Sequence, residues 1–211
     1  MTKVVRLIRH AESAANAGLV MTAPDTIPLT DHGLSQVIAL ADTMSVVPEL
    51  IVSSPFERAK ATALPTANRF GHVPVEIWAV EEFTYLSPGR FAGTTQADRK
   101  PMADAYWQLG DMKSIDGPGA ECFFDLLLRA KAMLDQLATS EANTVLVSVT
   151  GSSFGLWRGL SAMDKTPARQ KTCACSVSSI PEILCRIAQG TIWSSGMVGG
   201  KWCTRLPRMV R

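Results

Sequence analysis

Lys3-Val4-Val5-Arg6-Leu7-Ile8-Arg9-His10 is the stretch on which the fold turns. It is a short run, mostly β-branched or leucine, that ends in polar residues, which is the pattern of a strand buried in a sheet. Residues 11–32 are rich in small residues, Pro, Asp and Thr, and read as a long loop. From Gly33 a helical spacing begins, with Leu34, Val37, Ile38, Ala41 and Met44 on one face and Thr30 or Asp31 as its cap. Pro48-Glu49-Leu50-Ile51-Val52 leads into a second buried strand. Ser53-Ser54-Pro55 then opens a helix to about Phe70, which Pro65 should kink or end early. Pro74 to Val80 reads as a third strand, 83–96 as loop, 97–109 as helix, and Gly117-Pro118-Gly119 as a break. Residues 120–139 form the clearest helix, with a stripe of Phe123, Leu126, Leu127, Ala130, Met133, Leu134 and Leu137. Val145-Leu146-Val147 is a fourth buried strand. Beyond it, Phe154, Leu156, Trp157 and Leu160 suit a helix, and Ile183 to Ile187 a strand.

Short buried strands alternating with helices imply an α/β fold whose mostly parallel sheet is covered by helices on both faces. At 211 residues the chain suits a single domain with a sizeable core. In such sheets ligands bind at the carboxyl ends of the strands. Arg9-His10 follows the first strand and Ser53-Ser54 the second, so both fall at that edge.

A hydrophobic fraction of 46% and a charged fraction of 19% exclude a disordered chain. The opening apolar run is too short for a leader, and no stretch approaches the ~20 apolar residues of a membrane span, so a cytoplasmic location is expected. The net charge of +2 hides an asymmetry: residues 1–147 hold 12 Lys/Arg against 17 Asp/Glu, and residues 148–211 hold 9 against 2. Four cysteines (Cys173, Cys175, Cys185, Cys203) and three tryptophans also lie in the later part, whereas all three histidines precede it. Cys173-Ala-Cys175 has no nearby histidine to complete a zinc set, so no metal and no cofactor are expected. The basic tail lacks an aromatic-basic motif for nucleic acid, and neither nucleic acid nor membrane is expected as a partner.

The residues with chemistry begin at His10. Neutral imidazole is a good nucleophile toward phosphorus, and a covalent intermediate splits one hard displacement into two easier ones. Arg9 beside it offers a planar fork of donors suited to phosphate oxygens. Arg58, about one turn into the helix after Ser53-Ser54-Pro55, could clamp the same group from another side, since a helix start already favours anions. Taken alone, His10 also suits a packing role and Arg58 a surface ion pair.

Taken together, the motifs resemble the histidine phosphatase superfamily, the phosphoglycerate-mutase-like fold. There a strand ends in Arg-His-Gly-Glu, and a later segment reads Ser-Ser-Pro-x-x-Arg-Ala-x-x-Thr-Ala. Here the first is Arg9-His10-Ala11-Glu12, with alanine for glycine. The second is Ser53-Ser54-Pro55-Phe56-Glu57-Arg58-Ala59-Lys60-Ala61-Thr62-Ala63. Asn16 matches the family's loop asparagine, and Pro28-Leu29-Thr30-Asp31-His32-Gly33-Leu34-Ser35-Gln36 its Pro-Leu-Thr-x-x-Gly-x-x-Gln run. Glu82-Phe83-Thr84-Tyr85-Leu86 resembles one branch and puts the expected acid at Glu82, with Glu81 as the neighbouring alternative. The resemblance covers residues 3–147 and implies a metal-independent phosphomonoesterase, or else a mutase, acting on a small phosphorylated substrate. By it, His10 takes the phosphoryl group, Arg9, Asn16 and Arg58 bind it, and Glu82 acts as acid and then base. Variable residues 83–116, with Arg90 as a candidate contact to an anionic substrate tail, would form the substrate pocket together with the C-terminal part of the chain, while His32 and His72 read as surface histidines.

The family carries a second histidine, followed by glycine, after the fourth strand. Here Thr150 and Gly151 stand in that place as the remaining phosphate-binding candidates. A threonine hydroxyl donates one hydrogen bond but carries no charge, and loss of one preorganised donor costs about 10²–10³ in rate. A phosphate-binding member without turnover is therefore the alternative. In the related segment Phe-Gly-His-Gly-Gln, dropping one base from suitable codons yields Ser-Val-Thr-Gly and then Ser or Arg. This chain reads Ser148-Val149-Thr150-Gly151-Ser152. A shifted reading frame near codon 148 would explain both the lost histidine and the atypical composition of 148–211.

Overall fold

A computed structural model of the chain describes residues 4–21 and 23–151, together with the backbone of 194–198 and 201–205. The elements run β1 (Val4–Arg9), α1 (Asp31–Thr43), β2 (Leu50–Ser53), α2 (Glu57–Arg69), β3 (Val75–Ile77), α3 (Gln96–Leu109), α4 (Phe123–Thr139), β4 (Thr144–Val149), β5 (Ser194–Val198) and β6 (Lys201–Arg205). Among the described residues the strands form one sheet in the order β3-β2-β4-β1-β6-β5. The first four lie parallel, as the sequence implied. β6 pairs antiparallel with β1, and β5 with β6. The sequence reading missed these last two strands. The helix and strand expected at 154–160 and 183–187 lie outside the described residues.

Alternation along the strands sends side chains to two cores. Val5, Leu7, Leu50, Val52, Val145, Val147 and Val149 pack with Met133 and Leu137 of α4 on one face. Ile8, Ile51 and Leu146 pack on the other with Ala63 of α2, Met44 and Val73. Residues buried at both faces explain why β2 and β4 read as unbroken apolar runs rather than as alternating ones.

Three local expectations are corrected. In α1 the buried residues are Gly33, Val37 and Ala41, while Leu34 and Ile38 are 45% and 55% exposed. The cause is Gly33, where a Cβ would stand 2.1 Å from the Glu12 carbonyl oxygen. That close approach rotates the inward face by about one position. Pro65 does not end α2, which continues to Arg69 with Thr62, Ala63 and Thr66 buried. Packing outweighs the lost backbone bond. The third strand stops at Ile77 rather than Val80, because the Val80 N–H turns back to the Trp78 carbonyl (2.8 Å). The segment that follows, 78–84, has no regular structure.

The register fixes the site. β4 lies between β1 and β2, pairing Arg9 with Val149 and Ser53 with Ser148. The ladder continues one step past each strand: His10 N–H donates to the Val149 carbonyl (2.9 Å), and Ser54 N–H to that of Ser148 (3.0 Å). The carboxyl ends of three strands therefore lie level, and His10, Ser54 and Thr150 share one edge of the sheet.

Candidate active site

His10 is 6% exposed. Its Nδ1 lies 2.7 Å from the Ala11 carbonyl oxygen. A carbonyl only accepts, so Nδ1 carries the proton and Nε2 keeps its lone pair. The imidazole pKa is lowered to about 4, chiefly by burial, with Arg58 and Arg9 also lowering it and Glu82 opposing them. At neutral pH the ring is uncharged, with its lone pair on Nε2.

Arg58 is the second residue of α2, not a full turn in. Ser54 Oγ accepts the Phe56 N–H (3.3 Å) and keeps Ser54-Pro55-Phe56 outside the helix, with Phe56 at its cap. The Arg58 guanidinium is 3% exposed. Its Nη2 donates to Glu82 Oε2 (2.7 Å), its Nη1 donates to the Pro24 carbonyl, and it stacks 4.9 Å from the Phe56 ring centroid. Burial pulls its pKa below the ordinary value, and the Glu82 carboxylate opposes that shift.

Thr62, four residues on, ties the two motifs together. Its Oγ1 donates to the Arg58 carbonyl (2.7 Å) and accepts the Ala11 N–H (3.1 Å). The residue after His10 is thus held to the helix that carries Arg58. Thr62 stands in the sequence motif without an assigned role, although its spacing from Arg58 was the available signal. Gly33 serves the same loop from the other side: Thr30 N–H donates to the Glu12 carbonyl (3.0 Å), and Thr30 Oγ1 caps α1 at Gly33 N–H (3.0 Å).

Arg9, His10, Asn16, Arg58 and Glu82 all line one cavity of about 750 Å³. Asn16 Oδ1 accepts from Ser13 N–H (3.2 Å) and Ser13 Oγ (2.9 Å), which leaves the two N–H donors of its amide outside those bonds. Glu81 faces elsewhere, 3.5 Å from Arg129 Nη1. Thr150 and Gly151 lie behind the wall. Thr150 is fully buried, and its Oγ1 has no hydrogen-bond partner among the described residues. A Cβ on Gly151 would lie 3.0 Å from Glu82 Oε1 and 3.3 Å from Arg9 Nη2, so the glycine gives those two side chains room.

The far wall comes from Phe83, Tyr85 and Phe91 and from Arg99 and Lys100 of α3. Arg99 stacks 4.5 Å from the Phe91 ring centroid, and its Nη1 donates to Thr94 Oγ1 (2.8 Å). Lys100 pairs with Asp104 (2.6 Å). Arg90, which the sequence offered as a substrate contact, pairs instead with Asp116 (3.2 Å) and does not line the cavity. Arg99 was missed because nothing in its local sequence separates it from a surface arginine on an exposed helix. Among the described residues no group of three or more His, Cys, Asp or Glu could hold a metal, and no helix is long and apolar enough to cross a membrane.

Residues 5–180 match the family model of the histidine phosphatase superfamily (branch 1). A 2,3-bisphosphoglycerate-dependent phosphoglycerate mutase of Nocardia farcinica is 26% identical, over 73% of this chain and 75% of that one. A mycobacterial glucosyl-3-phosphoglycerate phosphatase is similar in structure with a TM-score of 0.59 and 25% identity, over 78% of this chain and 81% of that one. The alpha-ribazole phosphatase of Shigella flexneri shares the fold at a TM-score of 0.61 and 18% identity, over 98% of this chain and 96% of that one.

Proposed function

The chain belongs to the histidine phosphatase superfamily, branch 1, and on that premise we propose that it is a phosphomonoester hydrolase in which His10 carries the phosphoryl group. The observation that carries this reading is the state of His10: buried, uncharged, and bonded through Nδ1 so that Nε2 is the nucleophile. Nε2 attacks phosphorus while the bond from phosphorus to the leaving oxygen breaks, and Glu82 gives that oxygen its proton. Water then attacks the phosphohistidine, the P–N bond breaks, Glu82 takes the water's proton, and inorganic phosphate leaves. The Ala11 carbonyl stabilises the positive charge that the ring gains on phosphorylation. Arg9, Arg58 and the Asn16 amide supply fixed donors for the equatorial oxygens, so the chemistry needs no metal ion. Glu82 is paired with Arg58 at rest. An arriving phosphoryl dianion competes for that guanidinium and repels the carboxylate, which favours the protonated acid.

The leaving alcohol would lie along Phe83, Tyr85, Phe91 and Arg99. Hydrolysis rather than transfer is the reading favoured here, since the segment after Glu82 does not resemble the longer insert of glycolytic mutases. Thr150, where the family has its second histidine, favours the other reading of a phosphate binder without turnover. One assay separates the two. Hydrolysis of an aryl phosphate should fall to background in His10→Ala, and acid-labile phosphate should be trapped on His10 in the parent protein. Equal rates in both proteins would exclude His10 chemistry.

A further inference from the structure

We propose that Arg129 is a positioning residue for Glu82, acting together with Glu121; the inference rests on the reading of Glu82 as the acid. Glu82 sits on an irregular segment, so no sheet ladder fixes its backbone. Backbone carbonyls in such a segment must find other donors, and one side chain supplies them. Arg129 Nη1 donates to the Ala79 carbonyl (2.9 Å) and to the Glu81 carbonyl (3.4 Å), which belongs to the peptide leading into Glu82. The rest of the guanidinium is held in a fork: Nε and Nη2 donate to the two carboxylate oxygens of Glu121 at 2.5 and 2.7 Å. Glu121 N–H in turn donates to the Thr84 carbonyl (2.8 Å), closing the clamp on the far side of Glu82. The same guanidinium draws the Glu81 carboxylate (3.5 Å), so Glu81 turns toward α4 while Glu82 turns toward Arg58.

The clamp stands on a firm base. Arg129 lies on α4, which Leu126, Met133 and Leu137 anchor in the core. Its bidentate geometry is the kind a lysine cannot reproduce. Neither Arg129 nor Glu121 lines the cavity. Its effect on catalysis must therefore pass through where it holds Glu82.

Leaving-group dependence tests this. Protonation by the acid matters little for an aryl phosphate, whose leaving oxygen is already stable as an anion, and much for an alkyl phosphate. In Arg129→Lys, kcat/KM for glycerol phosphate should fall by about thirtyfold or more and that for p-nitrophenyl phosphate by less than about threefold, consistent with general-acid effects of ~10²–10⁴. Glu82→Gln should show the same split, and the double variant should lose little more than Glu82→Gln alone. Should Arg129→Lys fail to fold, Glu121→Gln keeps the two carbonyl contacts and should give a smaller split in the same direction. Equal losses on both substrates, tracking the folded fraction in a thermal melt, would make Arg129 a structural residue and overturn the proposal. If Glu82→Gln itself has no split, the acid assignment fails first and the clamp's role with it. Activity unaffected by His10→Ala would instead locate the failure in the nucleophile.

Discussion

The burial of an uncharged His10 can be read as a pH dependence of stability. Its pKa is lowered from 6.5 to about 4 in the fold, first by burial, whereas the unfolded chain keeps the ordinary value. Between those two values the unfolded chain binds more protons, so stability rises with pH in that window. The contribution is complete above the unfolded value, falls as the solution is acidified, and is gone below about pH 4. Each tenfold change in proton affinity is worth about 1.4 kcal/mol, which puts the whole effect at roughly 3 kcal/mol and most of it at about pH 4.5. The ring is 6% exposed, so solvent screening removes little of this. His10→Asn keeps a side-chain N–H for the Ala11 carbonyl but does not titrate. Urea unfolding of both proteins at pH 7 and at about pH 4.5 should show the parent losing ~2–3 kcal/mol more than the variant. Carboxylates that titrate in the same range are common to both and cancel in the difference. Parallel losses, within about 0.5 kcal/mol, would mean that the fold binds the proton as readily as the unfolded chain, and that burial does not hold the ring neutral.

Three further outcomes follow from single side chains. Gly33→Ala should destabilise by about 1–3 kcal/mol, because its Cβ would meet the Glu12 carbonyl oxygen at 2.1 Å. Helix propensity alone would give the opposite sign, about 1 kcal/mol in favour of alanine, so the direction of the urea midpoint shift decides. Thr150→Val removes a buried hydroxyl that has no partner among the described residues. It should gain about 1 kcal/mol of stability with kcat/KM within about threefold, and a loss beyond tenfold would show that the hydroxyl binds phosphate. Arg99→Met should raise KM about tenfold for a phosphomonoester bearing a second anionic group, the scale of one hydrogen bond to a charged partner, and leave phenyl phosphate unchanged. A rise for both substrates would place Arg99 at the phosphoryl group instead.

What could be read from the sequence was what short-range rules govern. The strands β1, β2 and β4 were visible because residues buried at both faces leave unbroken apolar runs, and α4 because its stripe is long. The orientation of α1 was not, because Gly33 against Glu12 is a contact between distant parts of the chain that no periodicity encodes. The end of β3 turned on one backbone bond back to Trp78. For the site, His10, Arg58 and Glu82 came from motifs whose residues converge only through the sheet order, with β4 inserted between β1 and β2. Thr62 and Arg129 escaped notice for one reason: each acts by satisfying the backbone of another segment, and the sequence does not name its partners.

The composition break at residue 148 can be weighed against the same geometry. Among the described residues, every side chain on the cavity wall lies between Arg9 and Asp104, well before the break. The segment that specifies the proposed chemistry is therefore the acidic first part of the chain, and its closest approach to the break is Thr150 and Gly151, behind Glu82 and Arg9. A shifted reading frame near codon 148 would leave His10, both arginines and Glu82 intact and, on the proposed reading, remove one donor from the far side of the phosphate. Resequencing the gene tests this. An alternative frame that restores a histidine at position 150 would support it, and an intact frame with no such reading would make Thr150 a native feature of the site. In the first case the restored chain should turn over about 10²–10³ faster than the same chain carrying threonine at position 150, the worth of one preorganised donor; equal rates would mean that three donors already saturate the charge on the transferring group.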